Sequence, residues 1–261
     1  MLVLLLVVAS SCIGLSVESI IQNSVRANSR DWNADPEYSC LERDRESNGG
    51  TKTYEDLMIL GSLYQRLVAV NGKPISRDRQ EQERRKLEQT IADRRSESSQ
   101  SRAERIAKYE KDRRRDRLLM EQLTEAFNFK LTGEQKLDGY DVYVLNATPR
   151  PGYQPPNMDT QVLKGMEGKL WIDRKTYQWV KVEARVIHPV SIEGFLAEVE
   201  PGTRFELEKM PVGDDIWLPK HYEMRANAKI FHVFGHKSQE DETYYGYGKL
   251  TPDEALSEKR Q

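Results

Sequence analysis

Cysteine is nearly missing from this chain, with Cys12 and Cys40 the only two among 261 residues. Cys12 belongs to the leading segment, so Cys40 alone is left to the folded part, and one thiol closes no intramolecular bridge. No neighbour in sequence would activate it, so it reads as a small semi-apolar strand residue. The Gly-x-Ser-x-Gly elbow, the P-loop and paired zinc-ligand spacings are all absent, which disfavours an enzyme. Long apolar runs are absent too. The opening run from Met1 to Ala9 is too short to cross a hydrocarbon core of about 30 Å, and with the small residues after it it reads as an export signal covering residues 1–16. Ala9-Ser10-Ser11-Cys12 resembles a lipoprotein box in which Cys12 becomes the lipidated first residue; cleavage after Ser11 or Ser16 is the alternative.

Histidine is scarce, and only His232 and His236 lie close together. On a strand their Cα atoms would be roughly 13 Å apart, too far to share one metal unless Gly235 bends the strand. No metal and no cofactor is expected. Asp214-Asp215 and the run Glu240-Asp241-Glu242 lack the oxygen-ligand offsets of a calcium loop, and both are expected at hairpin tips.

What the chain does contain is alternation at period two between about Gln135 and Leu250. Val180, Val182, Ala184 and Val186 are expected on one face, with Trp179, Lys181, Glu183 and Arg185 on the other. The pattern recurs in Phe195, Ala197 and Val199, in Phe205 and Leu207, and in Tyr222, Met224, Ala226, Ala228 and Ile230. Such a meander has one wet face and one broad apolar face, which helices, a partner or an apolar ligand must cover. Asn71-Gly72, Asp138-Gly139, Pro201-Gly202 and Gly213-Asp214-Asp215 mark turns. Three earlier strands are expected, one around Tyr38 to Leu41, one from Thr53 to Ile59 and one from Leu63 to Val70, with a turn at Asn48-Gly49-Gly50. Trp171, Trp179, Trp217, Tyr244, Tyr245 and Tyr247 read as packing aromatics or cross-strand pairs.

Helical spacing appears twice. Val17, Ile20, Ile21, Val25 and Trp32 form an amphipathic first helix capped by Ser16. Charged residues, 31% of the chain, concentrate between Arg77 and Arg117, where fifteen Lys or Arg stand against ten Asp or Glu. Pairs such as Glu81 with Arg85 fall at i,i+4, so the segment is expected to be helical and mostly solvated. Ser96 to Gln100 breaks it, and Ser101-Arg102-Ala103-Glu104 has the spacing of a capping box that restarts it. Leu118, Leu119, Met120, Leu123 and Phe127 then dock its end on the sheet. The interleaved carboxylates argue against nucleic acid as a partner. Arg113, Arg114, Arg115 and Arg117 are candidates for contact with anionic lipid headgroups.

Several segments together resemble the outer-membrane lipoprotein-sorting family, the LolA-like half-barrels: Phe129 to Gly133 with Gly139 to Leu145, Gly168 to Asp173 with Trp179 to Glu183, and Ile216 to Pro219. The resemblance implies an α+β fold, a strongly curved antiparallel β-sheet wrapped partly around helices, with an apolar cavity for acyl chains. Here it would form a single domain over residues 17–250, with an N-terminal helix and a charged helical-hairpin insertion over 77–127, followed by a polar tail over 251–261. The function this implies is an exported, non-catalytic carrier or acceptor of lipid acyl chains or lipoprotein, in the periplasm or anchored on the cell envelope. The expected cavity lining is Val182, Ala184, Val186, Phe195, Ala197, Phe205, Leu207, Met224 and Ala226. The competing reading is a structural or interaction module of the envelope whose charged arm binds a protein partner.

Overall fold

A computed structural model of the chain describes residues 16–192, 197–230 and 234–250. Residues 1–15 with Cys12, Phe195, His232 and residues 251–261 lie outside the described residues. In chain order the elements are α1 (Val17–Ala34), β1 (Tyr38–Arg45), β2 (Thr51–Ile59), β3 (Ser62–Val70), the two-residue β4 (Lys73–Pro74), α2 (Arg77–Ser96), α3 (Ser99–Glu121) and the single turn α4 (Leu123–Ala126). They continue with β5 (Phe127–Leu137), β6 (Tyr140–Pro149), β7 (Met166–Asp173), β8 (Trp179–Val186), β9 (Val190–Ile192), β10 (Ala197–Val199), β11 (Arg204–Gly213), β12 (Ile216–Ile230) and β13 (Phe234–Lys249).

The strands form one curved, unclosed sheet in the order β4-β3-β2-β1-β13-β12-β11-β8-β7-β6-β5, with β9 and β10 added beside β12. Every pairing is antiparallel. The fold is α+β, as expected. The last strand, β13, closes the chain back on β1 and so joins the first hairpins to the long meander.

Turn chemistry explains most of the reversals. Asn71-Gly72 and Asp138-Gly139 take paired positive φ angles of 53° and 71°, and of 50° and 90°, as tight hairpins demand. The reversal between the expected strands ending at Ile59 and starting at Leu63 has a strained backbone: Leu60-Gly61 adopts 48° and 92°, although leucine disfavours that region. The charged arm holds it there. Arg94 Nη1 donates to the carbonyls of Ile59 (2.7 Å) and Ser62 (2.9 Å), and Arg105 Nη2 donates to that of Leu60 (3.1 Å). Ile106 packs so closely that a Cβ on Gly61 would meet its Cδ1 at 2.9 Å. Most of α2 is exposed as expected, yet the helical hairpin also clasps the β2–β3 tip.

Three expectations are corrected. The serine that caps α3 is Ser98, whose Oγ accepts from the N–H of Ser101 at 3.1 Å; Ser101 lies inside the first turn. Glu240, Asp241 and Glu242 lie within β13 opposite Met224, Glu223 and Tyr222, not at a hairpin tip; Asp241 pairs with Arg45 on one face and Glu242 accepts from Tyr244 on the other. Val180 leaves the face of Val182. A register shift between Trp171 and Ile172 places two β8 residues against one of β7, which turns Val180 toward Trp171 and Trp217 and brings Trp179 to the helix side.

The main core lies between the helices and one face of β5–β8. Ile20 and Ile21 of α1, Ala126 of α4 and Phe127 pack with Leu145, Leu170, Ile172, Trp179 and Val182, and Leu119, Met120 and Leu123 abut them. Ser16 caps α1 through its Oγ, accepting from the N–H of Ser19. Farther along, the buried stripe of α1 turns polar at Ser24, Asn28 and Asp31. Asp31 accepts from Lys209 Nζ (2.5 Å), Gln178 Nε2 (2.9 Å) and the N–H of Trp217 (3.1 Å). Asn28 Oδ1 also accepts from Lys209, and Trp179 Nε1 donates to Ser24 Oγ. Burial pushes the Lys209 amine below its ordinary pKa while Asp31 opposes the shift. One hydrogen-bonded ion pair thus fixes α1 against β8, β11 and β12.

Candidate functional site

Register carries the apolar face across the sheet in two rows. Leu145, Leu170, Val182, Leu207 and Tyr222 are successive cross-strand neighbours on β6, β7, β8, β11 and β12. Beside them run Ala147, Gly168, Ala184, Phe205 and Met224. The helices bury the first members of each row. From β11 onward the cover thins, and Phe205, Leu207, Tyr222, Met224 and Ala226 are only half-buried. The rings of Phe205 and Tyr222 meet edge to face at 5.4 Å between centroids.

The same rows then become acidic. Tyr222 stands opposite Glu242, which stands opposite Asp44, and Met224 stands opposite Glu240. Alternation along β1 and β2 adds Cys40, Glu42, Tyr54 and Asp56 to this side. Glu42 and Asp56 are each only 9% exposed. Gln65 Nε2 donates to both, to Glu42 Oε2 at 2.9 Å and to Asp56 Oδ1 at 3.1 Å, and Tyr244 OH donates to Glu242 Oε2 at 2.5 Å. Among the described residues no Lys or Arg forms an ion pair with Glu42, Asp44, Asp56 or Glu242.

Burial in that setting disfavours charge. It pushes the carboxyls of Glu42, Asp56 and Glu242 above the usual carboxylate range, and for Glu42 the neighbouring Asp56 adds to the effect. Glu42 is the group we hold to be protonated at neutral pH. A neutral carboxyl can donate a hydrogen bond to an ester, amide or acid oxygen, which a carboxylate cannot. Desolvation, with Asp56, Asp35 and Glu42 nearby, pushes the Cys40 thiol well above its ordinary value, which disfavours the reactive thiolate. No cluster of three or more His, Cys, Asp or Glu side chains arranged to hold a metal occurs among the described residues.

This chain is similar to LolA-superfamily structures. A domain described as outer-membrane lipoprotein-sorting, from Vibrio parahaemolyticus, shares 13% identity over 91% of this chain and 94% of its own, with a TM-score of 0.34. A LolA-superfamily protein from Nitrosomonas europaea shares 12% over 94% and 99%, also at 0.34. The MucA/MucB complex of Pseudomonas aeruginosa gives 14% over 90% and 96%, at 0.26. No family model matches the chain, and neither does any curated protein.

The expected lining residues are not equivalent in the structure. Val182 is in the main core and Val186 is 2% exposed. Phe205 and Leu207 pack against that core's edge, Ala184 lies beside Gly168, and Met224 and Ala226 continue the strip along β12. Ala197 lies on β10 opposite Ile192 and Ile230. Of the four arginines on α3, Arg113 is turned inward: its guanidinium lies 3.9 Å from the centre of the Trp32 ring, and it bonds the Trp32 carbonyl. Arg117 also lies over Trp32 and pairs with Glu121, whereas Arg114 is exposed and Arg115 sits beside it on the helix. Sequence reasoning missed Glu42, Asp56 and Gln65. The only signal was polar residues at alternate positions of β1 and β2, which reads as a wet face until the pairing with β13 is known.

Proposed function

We propose that the protein is an exported, non-catalytic binding protein of the cell envelope that takes the acyl chain of a lipid or lipoprotein along the helix-facing side of β11 and β12. The observation that carries this reading is the half-buried strip of Phe205, Leu207, Tyr222, Met224 and Ala226, contiguous with the core yet reached only partly by the helices. An alkyl chain laid there gains about 0.8 kcal/mol for each CH₂ removed from water. The neighbouring carboxyls and tyrosines supply donors for the ligand's oxygen atoms. Among the described residues no helix is long and apolar enough to cross a membrane.

The test is mass spectrometry of an organic extract of the protein purified without detergent, beside a Leu207→Glu, Met224→Glu double variant. Stoichiometric acyl lipid in the wild type and its loss in a folded double variant are expected. No lipid above the level of the variant would end the proposal.

A further inference from the structure

On the face turned away from the helices, the sheet forms a depression of about 590 Å³ lined by Glu167, Lys169, Glu183, Arg185, Arg204, Glu206, Glu223 and Arg225, with Asn146 and Thr148 at one side. Its most unusual feature is a row of arginines. Arg204 stands directly opposite Arg185 on one neighbouring strand and Arg225 on the other. Directly opposed residues in antiparallel strands have Cα atoms roughly 4.5–5.5 Å apart, and like charges so placed are destabilising.

Each carboxylate of the depression already has a cation. Glu167 is held by Arg185 (2.7 Å), Glu183 and Glu206 by Lys181 (3.0 and 2.8 Å), and Glu223 by Arg225. Arg204 has no ion pair or hydrogen bond from its side chain among the described residues. An exposed guanidinium, flanked by two others and unclaimed by any carboxylate, is a planar fork suited to two phosphate oxygens at once.

We propose that this depression binds a small phosphorylated molecule, with Arg204 as its bidentate donor and Arg185 and Arg225 on either side. A bound phosphate would also relieve the repulsion within the row. The ligand is soluble and compact, because a flat anionic membrane would meet Glu167, Glu183, Glu206 and Glu223 along with the arginines. Ala147, Gly168, Ala184 and Phe205 also line the depression, but its charged residues alternate with them and belong to the opposite face from the acyl-chain strip.

Isothermal titration of the full chain with inorganic pyrophosphate tests the proposal, using wild type, Arg204→Gln, Arg204→Lys, and Arg85→Gln as a control on an exposed arginine of α2. Saturable binding with one site per chain is expected, weakened about tenfold or more in Arg204→Gln, partly in Arg204→Lys, and unchanged in Arg85→Gln. The Leu207→Glu, Met224→Glu variant should titrate like wild type, which separates this site from the lipid reading. No saturable binding at 150 mM salt, or equal binding by Arg204→Gln, would overturn it. Arg204-dependent binding to phosphatidylglycerol vesicles would overturn it too, by making the partner a membrane.

Discussion

The two halves of the sheet solve the problem of their helix-facing side in opposite ways. Over β5–β8 that side is covered by α1, α4 and the end of α3, and it holds Leu145, Leu170, Ile172 and Val182 with almost no exposure. Over β13, β1 and β2 the equivalent positions are Glu242, Asp44, Glu42, Asp56 and Tyr54. One half is fixed by close apolar packing. In the other, Glu42 and Asp56 are buried, Asp44 and Glu242 are half-buried, and Gln65 and tyrosines hydrogen-bond or border them next to a half-covered apolar strip. The difference teaches that the candidate site is the seam between the halves, where the apolar rows run out and neutral donors begin.

The largest effect on that comparison should come from the ion pair that seats α1. Lys209→Ala leaves Asp31 buried without its cation and should cost about 3–5 kcal/mol in chemical denaturation. Replacing the pair together by Asp31→Leu and Lys209→Met removes both charges but leaves the Trp217 N–H and Asn28 Oδ1 unpaired, so it should recover only part of the loss. Equal destabilisation by the single and the double variant would mean that shape, not charge, holds the helix.

The helical clasp comes next. Gly61→Ala forces a Cβ onto Ile106 at a φ of +92°, and Arg94→Ala leaves the carbonyls of Ile59 and Ser62 without their donor. Each should cost about 1–3 kcal/mol and speed hydrogen exchange in β2 and β3 before it does so in β6 and β7. Uniform acceleration across the sheet would show the two halves to be one cooperative unit.

Acidity should act on the polar half through Glu42. Because Glu42 has its pKa raised on folding, the folded chain binds more protons than the unfolded chain between the ordinary glutamate value and the folded one. Its contribution is therefore fully present below about pH 4 and is lost as pH rises through the folded pKa. Melting temperature should fall between pH 5 and pH 8, and Glu42→Gln should flatten that slope, adding about 1–2 kcal/mol at pH 8. A slope unchanged by the variant would place the responsible group elsewhere.

The smallest contrast lies on α3. Arg113→Ala, which removes a guanidinium stacked on Trp32, should cost about 1 kcal/mol. The exposed Arg114→Ala should stay within about 0.5 kcal/mol of wild type in thermal unfolding.

Much of the architecture could be read from residue patterns. Asn71-Gly72 and Asp138-Gly139 announced their hairpins, Ser16 its helix, and the apolar alternation of β11 and β12 its face. The reversal at Leu60-Gly61 fell between two expected strands, but its strained backbone could not be read, because the leucine is held by Arg94 and Arg105, more than thirty residues away in sequence. The site was half legible for a similar reason. Phe205, Leu207 and Met224 stood out by alternation, whereas Glu42 and Asp56 looked like ordinary wet-face residues until β13 was seen to pair with β1.

Local order in the amino-acid sequence determined where strands and helices form, since a two-residue period, a capping serine or a turn glycine acts on its immediate neighbours. Which strands lie side by side was decided only in the tertiary structure, and with it the burial of Glu42, the flip of Val180 and the row of Arg185, Arg204 and Arg225. Those outcomes depend on register between distant segments, where a shift of one residue exchanges the two faces of a strand.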